Sequence, residues 1–149
     1  MNIDEMIITL RGSDNKQAYS ALKDLLKISE ECNQVYPYFE KFIEMMNDPS
    51  HSFIRTRGMR LIAFNAKWDK DNMVNDIIQD YLKHMEDEKP ITSRQCIQDT
   101  FIIAKNKPEL IETILESLEN TTRIYQDSMQ SLIYKDRKKA IQQIRQLTW

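Results

Sequence analysis

The side chains able to do chemistry are few in this sequence and widely separated. His51 and His84 fall in different segments, and neither stands at a spacing from Cys or carboxylate that suits a zinc or two-metal site. The run "HMEDE" at 84–88 lacks the second histidine that a helical zinc site needs. There is no glycine-rich phosphate loop, no GxSxG and no Cys-His signature. Cys32 and Cys96 stand alone without a CxxC spacing, which predicts two buried, reduced thiols. The acidic run from Glu86 to Glu88 reads as solvated charge. These residues predict no catalytic centre, no cofactor and no metal.

Chemistry of another kind is concentrated in "NDPSHSFIRTRGMRLIAFNAKW", residues 47–68. On a helix at about 100° per residue, Ile54, Gly58, Leu61, Ile62 and Asn65 form a buried arc with Arg55 and Ala66 at its edge. Phe53, Thr56, Arg57, Arg60, Phe64 and Lys67 take the opposite side. Aromatic rings interleaved with cations are a mixture found in interface anchors, and one usable for stacking and phosphate contact. Phe53, Arg57, Arg60, Phe64 and Lys67 are therefore the candidate partner-binding residues. The alternative for the rings is packing against neighbouring helices. The basic residues Lys135, Arg137, Lys138, Lys139 and Arg145 read as a solvated face, and Trp68 and Trp149 as large groups at core edges.

The elements that must position this stretch follow from composition. With 41% hydrophobic and 30% charged residues, the balance is that of a folded chain, and 149 residues suit one domain with one core. Two glycines and two valines leave too little material for tight hairpins and β-branched strands, so an all-α fold is expected. The N-terminal "MNIDEMIITLRG" has acidic residues before its apolar run and no small-residue cleavage site, and no stretch approaches the ~18 apolar residues of a membrane span. A soluble, cytoplasmic protein is expected. A net charge of −2 leans towards protein partners over nucleic acid or an anionic membrane.

Apolar spacing resolves about nine helices, most of them in pairs. They cover residues 3–10, a second helix capped by Asp14, a third from near Pro37 to about 47, and a fourth capped by Ser50 or Ser52 and ending near 68. The next four span roughly 71–86, 92–105, 108–119 and 121–134. A last helix capped by Asp136 would bury Ala140, Ile141, Ile144 and Leu147 as an end piece. Laying residues 38–62 over 77–101, an offset of 39, brings Tyr38, Phe39, Phe42, Ile43 and Met46 onto Ile77, Ile78, Tyr81, Leu82 and Met85. Asp48 then falls on Asp87, Arg55 on Arg94 and Ile62 on Phe101.

A two-helix period of this length is that of helical solenoids, where stacking covers the apolar face that no pair covers alone. "DPSHSFIRTRGMRLIAF" resembles the HEAT family, and more loosely armadillo repeats, through Asp48, Pro49, Ile54, Arg55 and Gly58. There is one residue more between Asp and Arg than is common in that family, and the second copy has Ser93 and Ile97 in place of the aliphatic and small residues. The resemblance implies a right-handed α-α superhelix over 1–149, with about four pairs and a C-terminal capping helix. It also implies a ladder pairing Asp48 with Arg55 and Asp87 with Arg94. The function expected is a non-catalytic interaction module that holds a protein or peptide on its concave helix face. The alternative is contact with a nucleic-acid backbone, because HEAT-like folds include DNA glycosylases for alkylated bases; Arg57, Arg60 and Lys67 would then meet phosphate.

Overall fold

The computed structural model describes residues 1–126 and 128–147, so the expectation for Trp149 lies outside the described residues. Among the described residues every regular element is helical, with eight α-helices, four short 3-10 turns and no strand. The all-α expectation is met. The chain divides into two compact units, Met1–Asp69 and Lys70–Trp149.

In the first unit, α1 (Ile3–Thr9) starts at Asn2, whose side chain accepts the Glu5 N–H at 2.8 Å. Helix α2 (Asn15–Glu31) starts at Asp14, which accepts the N–H groups of Lys16 and Gln17. A 3-10 turn containing Pro37 leads into α3 (Phe39–Met46), and α4 (Ser52–Phe64) follows after a short turn. Neither Ser50 nor Ser52 caps α4. The helix has no side-chain cap; Asp48 orders the turn before it, its Oδ1 accepting the N–H groups of Ser50 and His51 at 2.9 and 2.8 Å. Helix α3 buries Phe39, Phe42, Met45 and Met46, each contributing about 1.5–3 kcal/mol by leaving water.

Helices α3 and α4 pack closely because position 58 has no side chain. A Cβ on Gly58 would stand 2.7 Å from both the Met45 Cβ and the Phe42 carbonyl oxygen. The repeat offset places Ile97 at the corresponding position, and Ile97 is fully buried. In that second unit, α5 (Met73–Lys83) runs into the 3-10 turn His84–Glu86, and α6 (Pro90–Asn106) packs chiefly on that turn and on α8. Helix α7 (Ile111–Glu119) follows the turn Pro108–Leu110, and α8 spans Met129–Gln146.

The C-terminal region departs from expectation. Residues 121–126 are not helical, and three of their main-chain donors are held by side chains. The Glu86 carboxylate accepts the N–H groups of Thr122 and Arg123 at 3.2 and 2.8 Å, and the Tyr125 N–H goes to the Gln130 side chain at 2.8 Å. Glu86 and the buried Asp87 are thus structural rather than solvated, and the Asp87 carbonyl accepts the Tyr125 hydroxyl. Asp136 caps nothing: it lies inside α8 and accepts the Arg94 Nε–H at 2.7 Å. The two helices expected over 121–147 are one.

Alternate helices run parallel in three pairs, α1 with α3, α2 with α4, and α5 with α7. In the first unit, Tyr38 at the start of α3 donates to Asp4 at the start of α1, and Arg11 beyond α1 meets Asp48 beyond α3 at 3.9 Å. Arg57 reaches Asn15 at the start of α2, whereas Asn65, Lys67 and Trp68 reach Ser29 and Glu30 at its end. In the second unit, Lys107 and Glu109 before α7 bond Asn72 and Asn75 near the start of α5, while Glu86 beyond α5 bonds residues beyond α7. The sequence separations of these hydrogen bonds lie between 34 and 42, bracketing the offset of 39 read from the sequence.

Gly58→Ala gains up to ~1 kcal/mol of intrinsic helix propensity, yet it should destabilise the chain by about 1–3 kcal/mol in urea melts through forced separation of α3 from α4. The same measurement on Lys27→Ala, an exposed change on α2, should move stability by less than about 0.5 kcal/mol.

Candidate functional site

Phe53, Arg57, Arg60 and Phe64 share one side of α4 by their spacing, within an arc of about 60°. They pair as cation over ring. The Arg57 guanidinium sits 5.9 Å from the Phe53 centroid, and that of Arg60 sits 5.4 Å from Phe64. Lys67, in the turn Ala66–Trp68, lies 4.9 Å from the Trp68 ring. Phe53 is 59% exposed.

Arg57 departs from the expectation of a solvated side chain. Only 6% of it is exposed. Its Nη1 donates to the Leu10 carbonyl at 2.8 Å and its Nη2 to the Asn15 Oδ1 at 3.0 Å, fastening α4 to the turn between α1 and α2. Burial lowers its pKa from the ordinary guanidinium value. Lys67 remains exposed but donates to the Glu30 carbonyl at 2.7 Å, adding to the hold of Asn65 on Ser29 Oγ (3.1 Å) and of Trp68 on the Ser29 carbonyl (2.6 Å). Phe53, Arg60 and Phe64 are left as the outward part of the expected set, with Phe64 and Arg60 half-buried.

Helix α2 adds residues that sequence reasoning missed. Tyr19 is one turn beyond Asn15 on the same side, is 58% exposed, and carries Lys23 at 5.1 Å from its ring. The signal was present: Tyr19 and Lys23 are four apart and off the apolar line of Ala18, Leu22 and Leu25. Tyr19, Lys23, Phe53, Arg60 and Phe64 thus make a set of aromatic and basic groups on the parallel helices α2 and α4.

No family model, no curated protein and no solved structure matches the chain.

The two histidines serve turns. His51 Nδ1 lies 3.1 Å from Asp48, and His84 Nδ1 lies 3.4 Å from Asp87. These aspartates occupy equivalent places in the repeat, and each accepts the N–H two residues on, from Ser50 and from Lys89. The ladder expected from the resemblance takes a different form. Arg55 Nη1 donates to the Asp48 main-chain carbonyl at 3.1 Å, and Arg94 pairs with Asp136 in place of Asp87. Cys96 is buried with its thiol on the Tyr81 carbonyl at 3.5 Å, and burial pushes its pKa up. Among the described residues no group of three or more His, Cys, Asp or Glu is placed to hold a metal ion, and no helix is long and apolar enough to cross a membrane.

The Ser50 N–H is the largest influence holding the Asp48 carboxyl below its ordinary pKa. A carboxylate with a depressed pKa contributes stability fully above the unfolded value, near pH 4, and loses it as pH falls through the folded value. Asp48→Ala, which removes two turn hydrogen bonds to a carboxylate, should therefore cost about 1 kcal/mol at pH 7. In urea melts repeated down to pH 3 the gap to the parent chain should close. For Arg57→Ala, which strands the Leu10 carbonyl, the expected loss is about 1–3 kcal/mol, against less than about 0.5 for Arg60→Ala.

Proposed function

We propose that the chain is a HEAT-like helical-repeat protein that works as a non-catalytic interaction module, holding a protein or peptide partner on the outward side of its second helices, in the reducing setting of the cytoplasm. The observation that carries this reading is the set of aromatic and basic groups on the parallel helices α2 and α4: the exposed rings of Tyr19, with Lys23 beside it, and Phe53, and the half-buried pair of Arg60 and Phe64. Side chains of this kind supply binding energy from area and charge together, and they stand on a rigid support. The repeat reading is supported by the parallel run of alternate helices and by bond separations near the offset of 39. The reducing setting is supported by Cys32 and Cys96 standing as free thiols.

Arg57 is needed by the fold, so the variant that tests the surface leaves it in place. Phe53→Ala combined with Arg60→Glu should keep the far-ultraviolet dichroism and hold stability within about 1 kcal/mol of the parent. It should also lose whatever an affinity-tagged parent chain retains from an extract of its source cell. Retention of the same partners by the folded double variant would move the binding surface off α4. If the retained material is nucleic acid released steeply by salt, the backbone-contact reading replaces the protein-partner one.

A further inference from the structure

The side of α2 that runs beside α4 carries more charge than the α4 set alone suggests. Asn15, Tyr19, Lys23 and Lys27 form a row at four-residue spacing. The row begins at Asn15, whose side-chain oxygen accepts Arg57 of α4 at 3.0 Å, and ends near Glu30, whose carbonyl accepts Lys67 at 2.7 Å. Its lysines therefore stand between the two places where α4 is fastened to α2. Lys16 joins them within an arc of about 40°. Lys16, Lys23 and Lys27 are exposed and have no ion pair to a described residue. No acidic residue occurs from Pro49 to Trp68, so α4 supplies no counter-charge. Asp24 and Glu31 lie further round α2, which leaves Glu30, in the last turn, as the acid on this side. Around the exposed rings of Tyr19 and Phe53 the surface is thus positive, in a chain whose net charge is −2.

We infer that the partner of this surface is a short acidic protein segment carrying an aromatic or aliphatic side chain. The inference rests on the α2–α4 surface being the interaction face, and it adds the chemistry of what that face holds. Lys16, Lys23 and Lys27, with Arg60 and Lys67 on the α4 side, draw carboxylates. The rings of Tyr19 and Phe53 give an apolar side chain area to cover, and aromatic and arginine side chains are the types that anchor interfaces. The length of the charged strip sets the size of the segment. From Lys16 to Lys27 is about 16 Å along the helix axis, which an extended chain covers in about five residues. Beyond Lys27 the next charge on this side is Glu30, so a longer anion is repelled at that end. A polynucleotide, whose charge continues along its whole length, is the poorer fit, and the net charge of −2 also works against it.

The test is fluorescence anisotropy of a labelled Glu-Glu-Phe-Glu-Glu peptide with glycine flanks, on the full chain at low salt. Saturable binding is expected, weakened roughly tenfold or more by Lys23→Glu with Lys27→Glu, and several-fold by Phe53→Ala or by serine in place of the peptide phenylalanine. Lys138→Glu with Lys139→Glu, on α8, should leave it unchanged, which separates this surface from positive charge elsewhere on the chain. The α2 lysines are exposed, so their variants are expected to fold, and a matching dichroism spectrum checks that. Lys23→Gln with Lys27→Gln, which adds no negative charge, should still weaken binding. The inference is overturned if the peptide binds no tighter than one with lysine in place of glutamate, or if the α2 and α8 variants weaken it equally. Tighter binding of an oligothymidine strand, dependent on Lys23 and Lys27, would also overturn it, by assigning the surface to nucleic acid. Failure of the peptide, with partners still lost by Phe53→Ala combined with Arg60→Glu, overturns the acidic segment and leaves the interaction face in place. Partners retained by that variant overturn the face itself.

Discussion

The closeness of α3 and α4 at Gly58 is the constraint on which the first unit depends. Nothing larger than hydrogen fits between position 58 and the Phe42 carbonyl oxygen, 2.7 Å from where a Cβ would be. That contact sets the rotation of α4 about its own axis. Once the rotation is set, Ile62 faces the core, Asn65 and Trp68 face α2, and Arg57 has one place to go. Its guanidinium ends on the Leu10 carbonyl and on Asn15, joining three helices through a single side chain. The outward presentation of Phe53, Arg60 and Phe64 is thus a by-product of an interior fit.

Where the repeat offset meets a different residue, the packing differs as well. Ile97 at the position equivalent to Gly58 brings a buried side chain to a place where the first unit has only backbone. Helix α6 accordingly packs on the turn after α5 and on α8, and the Ser93 hydroxyl is held by the Met85 carbonyl of that turn. The Asp–turn–helix grammar survives the change, since Asp48 and Asp87 both still accept main-chain N–H groups. What varies is the depth of contact between the helices.

How far the sequence could be read depended on how many neighbours a residue has. Helices α2 to α7 were legible from periodicity, because each buries one clear arc, and Gly58 was correctly placed on the buried side of α4. Arg57 was not legible. A helical wheel weighs a side chain against one core, whereas α4 faces both α3 and α2, and Arg57 stands about 40° from Phe53 on the flank that α2 occupies. Asp136 was misread as a cap for a similar reason: its partner, Arg94, is 42 positions away and invisible to local pattern. The segment after α7 has donors bound by Glu86, a residue whose own neighbours in sequence suggested only solvated charge. Of the candidate surface, the rings and cations on α4 were found by composition, while Tyr19 and Lys23 needed the parallel placement of α2 to matter.

The narrow range of the stacking bonds bears on how the chain acquires its structure. Closing a loop costs free energy that grows only with the logarithm of its length, so segments joined across 34 to 42 residues carry nearly equal closure costs. Pairs adjacent in the chain close far shorter loops and are favoured over the stacked pairs as starting points, and among them the choice of nucleus falls to local packing quality. The α3–α4 contact, with four large α3 side chains buried across a backbone-close crossing and only a short turn to close, has that quality in greatest measure. The first unit thus holds, in α3 and α4, a hairpin that combines a short loop closure with deep burial, and contacts of such short sequence range are those that favour fast folding.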